Sequence, residues 1–349
     1  MLALAGIPLG LRCLFLDRSR EAPGAEVAPI LVGDLEDPAL LVELAARSDV
    51  LTFDWENISA AALKRLRNTA PIRPPAAALR ASQDRLQEKA LFTRLNIPVA
   101  PHTAVDTQAQ LLAACRRLGL PGVLKTRRLG YDGKGQFVVR DAAQIGAAWA
   151  ELGAASLVYE RFLPFSRELS LIGVRAADGR CAFYPLSANT HSGGVLRYGL
   201  APHRDAALER RARLYMRRVM RALRYVGVLA IEFFVVDGQL VANEMAPRVH
   251  NSGHWTIEGC VTSQFENHLR AICGLPLGST RALGHTAMIN FLGKIPERAR
   301  LLAIEGLAFH DYGKTARPGR KLGHCTILCS RAKDRDQALK NALDLVRWN

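Results

Sequence analysis

No two of the seven cysteines, at positions 13, 115, 181, 260, 273, 325 and 329, form a CxxC pair, and their number is odd. That pattern excludes a zinc ribbon, argues against a disulfide framework, and points to a reducing compartment with free or buried thiols. No apolar run approaches the roughly 20 residues that a membrane span requires. The opening MLALAGIPLGLRCLFL is apolar but has no basic stretch before it, so a secretory signal is not indicated and a cytoplasmic location is expected. Aromatic residues make up only 7% of the chain, and neither repeats nor low-complexity tracts occur. A membrane partner is therefore not expected.

Charge of one sign is abundant instead. The net charge is +15, carried mostly by arginine, which favours anionic partners such as nucleic acid or phosphorylated small molecules. The arginines are spread along helical stretches such as ERRARLYMRRVMRALR (209–224), as on a solvated face, and few aromatics interleave them. No nucleic-acid partner is expected on that ground. With 349 residues, 49% of them hydrophobic, the chain is long enough for two or three domains.

The first hundred residues alternate strand and helix: LRCLFLD (11–17), DPALLVELAARS (37–48), DVLTFDWENI (49–58) and SAAALKRLRN (59–68). This order predicts a doubly wound parallel sheet with ligands at the carboxyl ends of its strands. An amphipathic helix (82–95) leads to an α+β unit of helix 107–118, strand 122–126, strand 136–140, a helix near 142–152 and strand 156–163. Strands at 168–175 and 181–187, a polar loop at 188–194 and the basic helix come next. The hairpin VGVLAIEFFVVDGQLVANEMAP (226–247) then turns at Asp237-Gly238, and helix 263–274 precedes a boundary at Pro276 and Gly278. The remainder is read as short strands and turns. The domains expected are 1–96, 97–275 with a lid at 97–163, and 276–349.

Three constellations carry chemistry. LKTRRLGYDGKGQ (124–136) combines three glycines with Lys125, Arg127, Arg128 and Lys134, which suits either a hairpin turn or a lid over phosphates. In the hairpin, Glu232 and Glu244 fall opposite one another or within one position. Like charges so placed destabilise a sheet, so a cation should lie between them. Arg248 or a lysine would serve, and so would Mg²⁺ held by oxygens, with Asn243 as another donor. PRVHNSGHWT (247–256) crowds Arg248, His250, Asn251 and His254 beside that pair, as an anion or substrate site would. Near the end, YGKTARPGRKLGH (312–324) offers Lys314, Arg317, Arg320 and Lys321, either as a solvated loop or for phosphate capture.

Together the glycine loop with its strand lysine, YERFL and the paired-glutamate hairpin resemble the ATP-grasp fold. KTRRLGYDGKGQ, the strand at 168–175, FYPLSANTHSGGVLR, NEMAPRVHNSGHWTIEGCVTSQFENHLRAICGLPLG and GKTARPGRKLGH are similar to the N5-carboxyaminoimidazole ribonucleotide synthetases of purine biosynthesis. The resemblance covers nearly the whole chain, and NSGHWT with its surroundings is its most specific part. It implies an α/β and α+β protein: an N-terminal doubly wound domain, an ATP-grasp domain and a small C-terminal β-rich domain.

The resemblance also implies a set of roles. Arg85 and Lys125 match nucleotide-phosphate contacts, and Gly130, Tyr131, Asp132, Gly133, Lys134, Gly135 and Gln136 match the lid loop. Glu160, Arg161, Phe162 and Leu163 match the strand whose backbone reads adenine. Glu168 matches the ribose-hydroxyl acceptor and His191 a further nucleotide contact. Glu232 and Glu244 take the metal positions, with Mg²⁺, or alternatively Mn²⁺, and ATP as the groups bound, and Asn243 lies beside them. Arg248, His250 and Asn251 match residues around bicarbonate. Tyr131, Asp132, Glu56, Lys314, Arg317, Arg320 and Lys321 match groups holding the aminoimidazole ribonucleotide and its phosphate. The implied activity is ATP-driven carboxylation of that ribonucleotide through carboxyphosphate, in a homodimer. A formate-dependent glycinamide ribonucleotide formyltransferase would share the ATP half, and a basic nucleic-acid binder would explain the charge alone.

Family members open with a strand and a turn resembling GGGQLG before a helix like MLALAG. The resemblance thus places Met1 inside a first helix, and the chain as given is expected to be less soluble and weakly active or inactive, with an upstream extension restoring carboxylation.

Overall fold

The computed structural model describes residues 1–66, 69–130, 133–346 and 348. In the N-terminal segment, β1 (Phe15–Asp17) and β2 (Ile30–Val32) pair in parallel, and Leu51 bridges Ile72, also in parallel. The helix Pro38–Ala46 starts where Asp37 accepts from the backbone N–H groups of Ala39 and Leu40, with proline at the first turn. Leu41 and Ala45 from this helix meet Leu51, Ala62, Leu66 and Ala70 in a small core. The strand predicted over 49–58 is reduced to the bridge at Leu51. Its polar end, DWEN, leaves the sheet and enters a cleft.

The lid is a four-stranded antiparallel sheet, in the order β3 (His102–Val105), β6 (Leu157–Arg161), β4 (Gly122–Thr126), β5 (Gln136–Val139). Helices Gln108–Leu118 and Ile145–Leu152 pack on it through Leu111, Ala114, Ile145 and Ala148, which meet Leu124 and Tyr159. The glycine loop joins β4 to β5. Gly133, at φ 76°, lies against the Gly193-Gly194 turn, and a Cβ there would run into the Gly193 carbonyl. The glycine is needed both for its backbone angle and for this close approach.

A nine-stranded sheet makes up the rest. Its strands are β7 (Arg167–Arg175), β8 (Cys181–Phe183), β9 (Ser187–Ser192), β10 (Val195–Ala201), β11 (Gly227–Val236), β12 (Gln239–Ala246), β13 (His285–Leu292), β14 (Leu307–Asp311) and β15 (Lys321–Cys329). The order is β12-β11-β7-β9-β10-β13-β15-β14, with β8 beside β7. Leu229, Ile231 and Phe233 face the helix Ala206–Ala222, whereas Val228 and Ala230 share a core with Phe265 and Ala271 of the helix Gln264–Ile272. Burial on both faces explains why β11 reads as a nearly unbroken apolar run. Arg210, Arg211, Arg217 and Arg221 of the basic helix are exposed, as on the solvated face the sequence suggests.

Two expectations need correction. Residues 188–192, read as part of a polar loop, belong to β9, because β7 and β10 satisfy its backbone while its polar side chains border the site. The last segment contains, besides its strands, the 14-residue helix Ala332–Leu345, whose Leu339 and Ala342 pack on β13 and β15. Among the described residues no helix is long and apolar enough to cross a membrane.

Candidate active site

The hairpin organises the site. Glu232 and Glu244 are directly opposed across β11 and β12, and the register shifts between Glu232 and Phe233. Asn243 is the extra residue of that bulge, which turns it toward the same cavity as the carboxylates. Burial, then the neighbouring Glu244 charge, pushes Glu232 up to about 7. Glu244 is more exposed, and although desolvation opposes it, Arg85 holds it below the usual carboxylate value through an ion pair at 3.0 Å. The side chain paired with this hairpin is thus Arg85, at Glu244, and not Arg248, which pairs with Glu56. His250 Nδ1 stands 4.0 Å from Glu232.

Whether a hard divalent ion suits this pair can be judged from the donors. Asn243 Oδ1 is buried and has no hydrogen-bond partner among the described residues, and Asn243 borders the cavity that both carboxylates line. Two anionic oxygens donors and one neutral one match oxygen-ligated Mg²⁺ or Mn²⁺, which keeps places for phosphate and water. Among the described residues no group of three or more His, Cys, Asp or Glu gathers for a metal. The donor set therefore fits an ion shared with a bound phosphate rather than one caged by protein alone.

One cavity, of about 380 Å³, lies between the lid and the large sheet. Glu160, on β6, extends between Lys89 Nζ at 3.1 Å and Lys125 Nζ at 3.0 Å, all three residues being buried. Although burial opposes it, these lysines, Lys125 foremost, hold the Glu160 carboxyl down at about 2. Lys125 is lowered, chiefly by burial. Across the cavity, His191 Nδ1 is 2.9 Å from Glu168 Oε2; burial disfavours its protonation, but Glu168 and then Glu232 raise its pKa. Gly133, Lys134, Gln136, Arg161, Phe162 and Leu163 also border this space. Gly135 does not, since it packs on Thr126 at the loop's base. Asp84 anchors that base. It caps the helix Arg85–Arg94 through the Leu86 N–H and accepts from Arg127 at 2.7 Å.

A second cleft, of about 720 Å³, is lined by the N-terminal segment, the hairpin and the turn near 312–321. Arg248 pairs with Glu56, whose backbone carbonyl accepts from Gln83 Nε2 at 2.6 Å. Gln264 clamps the His250 backbone by two hydrogen bonds, and His250 Nδ1 is 2.8 Å from Ser252 Oγ. Burial, then the Arg248 charge, drives the His250 pKa well below its ordinary value, so the ring is neutral. Lys314 lies over the Tyr312 ring, 5.2 Å from its centroid, and burial lowers its pKa. Gly130 lines this cleft as well.

The two spaces meet. Arg85, Glu232, Glu244, His250, Asn251 and Lys321 line both. Of the residues read from the sequence, Arg317 and Arg320 lie on the turn but line neither space, and Arg320 donates to the Thr315 carbonyl at 3.0 Å. Tyr131 and Asp132 lie outside the described residues. Lys89, Glu88, Gln83 and Tyr312 escape the sequence reading, whereas His254, read with the loop at 247–256, lines the second cleft. The signal for the first two was present: Arg85, Glu88 and Lys89 share one helix face at i, i+3 and i+4. Glu88 is buried, accepts from the Met245 N–H at 2.6 Å, and is pushed to about 8 by burial and then by Glu244.

Comparison with known proteins gives this arrangement a context. Residues 90–265 match the ATP-grasp domain, 1–83 the ribonucleotide synthetase preATP-grasp domain, and 286–338 the phosphoribosylaminoimidazole carboxylase C-terminal domain. The chain is 49% identical over 330 residues to the N5-carboxyaminoimidazole ribonucleotide synthase of Pseudomonas aeruginosa, covering 95% of this chain and 91% of that protein. It is 37% identical to the protein of the same name from Bacillus subtilis, covering 94% and 88%. The crystal structure of N5-carboxyaminoimidazole ribonucleotide synthetase from Thermus thermophilus superposes with a TM-score of 0.95 at 48% identity, covering 99% of this chain and 95% of that one. N5-carboxyaminoimidazole synthase from Aspergillus clavatus, in complex with ADP and 5-aminoimidazole ribonucleotide, gives 0.93 at 28% identity, covering 99% and 95%.

Proposed function

The chain belongs to the N5-carboxyaminoimidazole ribonucleotide synthase family of ATP-grasp ligases, and from that premise we propose how its cleft divides the work. The reaction is ATP-dependent carboxylation of aminoimidazole ribonucleotide in purine biosynthesis. ATP occupies the cavity beneath the lid, and the ribonucleotide occupies the larger cleft. The observation that carries this reading is the meeting of the two spaces at Glu232, Glu244, His250 and Asn251.

Lys125 and Arg85 face the phosphates, with Lys89 behind Glu160, the Glu160–Leu163 segment faces the base, and Glu168 with His191 meets the ribose side. Bicarbonate takes the γ-phosphoryl group of ATP, giving ADP and carboxyphosphate. The ribonucleotide amine then bonds to the carboxyl carbon, directly or after release of CO₂, and inorganic phosphate leaves. Its N–H proton must go to an acceptor, and neutral His250 offers one. Arg248 and Asn251 flank the same point. Mg²⁺ or Mn²⁺ on Glu232, Glu244 and Asn243, when bound, would neutralise charge on the transferred phosphoryl group. Docking of Gly133 on the Gly193-Gly194 turn keeps the lid down and water out, which matters because carboxyphosphate hydrolyses readily.

Lys314 and Lys321 border the ribonucleotide's end of the cleft and suit its phosphate. The family resemblance is also the ground for a homodimer and a cytoplasmic location, which light scattering and cell fractionation would test. ADP release is the decisive assay. It should rise when aminoimidazole ribonucleotide and bicarbonate are both present, and not with glycinamide ribonucleotide and formate. Stimulation by the latter pair would overturn the assignment.

A further inference from the structure

Strand β13 lies in the C-terminal segment, yet it delivers one side chain to Asn251, a residue that lines both spaces. Asn290 is fully buried, and its amide faces that of Asn251. Asn251 Nδ2 donates to Asn290 Oδ1 at 2.9 Å, and Asn290 Nδ2 donates to Asn251 Oδ1 at 2.7 Å. A primary amide has two N–H donors. Asn290 directs its second to the Leu196 carbonyl, at 2.9 Å. That carbonyl can only accept, so it decides which end of the Asn290 amide is nitrogen. The choice propagates. Asn290 Oδ1 must face Asn251 Nδ2, and Asn251 Nδ2 also lies 3.2 Å from His254 Nδ1. Burial keeps His254 neutral, and in the tautomer with its proton on Nε2 the Nδ1, which the Tyr312 hydroxyl also approaches at 3.1 Å, is able to accept. Every N–H of both amides is then used. What Asn251 retains for the two spaces it lines is a lone pair on Oδ1.

We propose that Asn290 is a positioning residue that locks the Asn251 amide in one sense, so that Asn251 meets the substrates as a hydrogen-bond acceptor and not as an oxyanion donor. The group it takes is an N–H or O–H, either the amine of the ribonucleotide or the hydroxyl of bicarbonate. A bare carboxylate oxygen is turned away. Without Asn290 the amide is free to rotate and present its N–H instead. The inference rests on the reading that Asn251 lies at the carboxylation centre.

The test is a double-mutant cycle on Asn290→Ala and Asn251→Ala, with kcat and the KM of each substrate measured. Asn290→Ala should lower kcat/KM on the acceptor side by about ten- to a hundredfold, as misorientation at a reacting centre does. The loss falls on the ribonucleotide if its amine is the donor, and on bicarbonate if its hydroxyl is. The KM for ATP should stay within about twofold, and in the Asn251→Ala background the second substitution should add less than about twofold, because the two act as one unit. Equal losses in both backgrounds would show a general structural role and overturn the inference. So would normal kinetics for Asn290→Ala beside a crippled Asn251→Ala. Normal carboxylation by Asn251→Ala would instead sink the placement of Asn251 at the centre, and with it this role for Asn290. Should Asn290→Ala fail to fold, Asn290→Leu keeps the volume without the amide, and the same cycle is read on it.

Discussion

Replacing Glu160 by glutamine removes one charge from between two ammonium groups that have almost no access to water. Lys89 is 1% exposed, Glu160 3% and Lys125 7%. The displacement of the Glu160 carboxyl from its ordinary 4.5 to about 2 corresponds to roughly 3 kcal/mol of stabilisation at about 1.36 kcal/mol per unit. An independent estimate agrees: removing one member of a buried ion pair costs about 3–5 kcal/mol, because the partner charge is left uncompensated. Glu160→Gln should therefore lose about 3 kcal/mol at neutral pH, measured by urea unfolding. A carboxyl with a depressed folded pKa contributes its stability above the unfolded value and loses it as pH falls through the folded one. The gap between wild type and variant should hold down to about pH 4.5 and close toward about pH 2. Saturating ADP should restore part of the loss, since a phosphate oxygen would meet Lys125, which borders the cavity. A loss below about 1 kcal/mol, or one independent of pH over that window, would refute the reasoning.

Glu244→Gln should stay folded but lose about two decades or more of ATP turnover, because charge on the phosphoryl group is no longer neutralised; near-normal turnover at saturating Mg²⁺ would remove the metal assignment. Lys314→Ala should weaken the ribonucleotide by about 1.5–3 kcal/mol with little change for ATP. Arg320→Ala, outside both spaces, should cost far less, and calorimetric titration with each ligand separates the two. Glu88→Gln tests the opposite pKa sign. Because the folded carboxyl is raised to about 8, the wild type binds the extra proton when folded and loses stability as pH rises from about 5 to 8. The variant should gain on it by up to about 1.4 kcal/mol per pH unit, and a constant difference in urea unfolding across that range would rule this out.

Local chemistry in the chain was enough for the hairpin. The Asp237-Gly238 turn brings the two carboxylates within one position of each other, because strand register is determined by the turn; the turn alone would face Glu232 with Asn243, and the bulge beside Phe233 is what sets Glu244 opposite. The glycine loop was legible as a possible phosphate lid, but not the reason for its middle glycine, whose neighbour is a turn 60 residues away. The resemblance brought Arg85 and Glu160 to the site, yet it took the fold to show what they do there. Arg85 neutralises Glu244, and Glu160 is clasped by two lysines. Lys89 was not singled out, since helical periodicity reports which face a side chain occupies and not what covers it. Arg248 could be placed near the carboxylates but not assigned to Glu56, 192 residues away in sequence. Arg317 and Arg320 match a phosphate-binding turn by composition, and only the path of that turn turns them from the cleft. The same holds for Asn290, an apolar-strand asparagine without any motif. Short-range pattern determines backbone form and the set of available groups; which of them meet depends on how distant segments close on one another, and that is settled by packing.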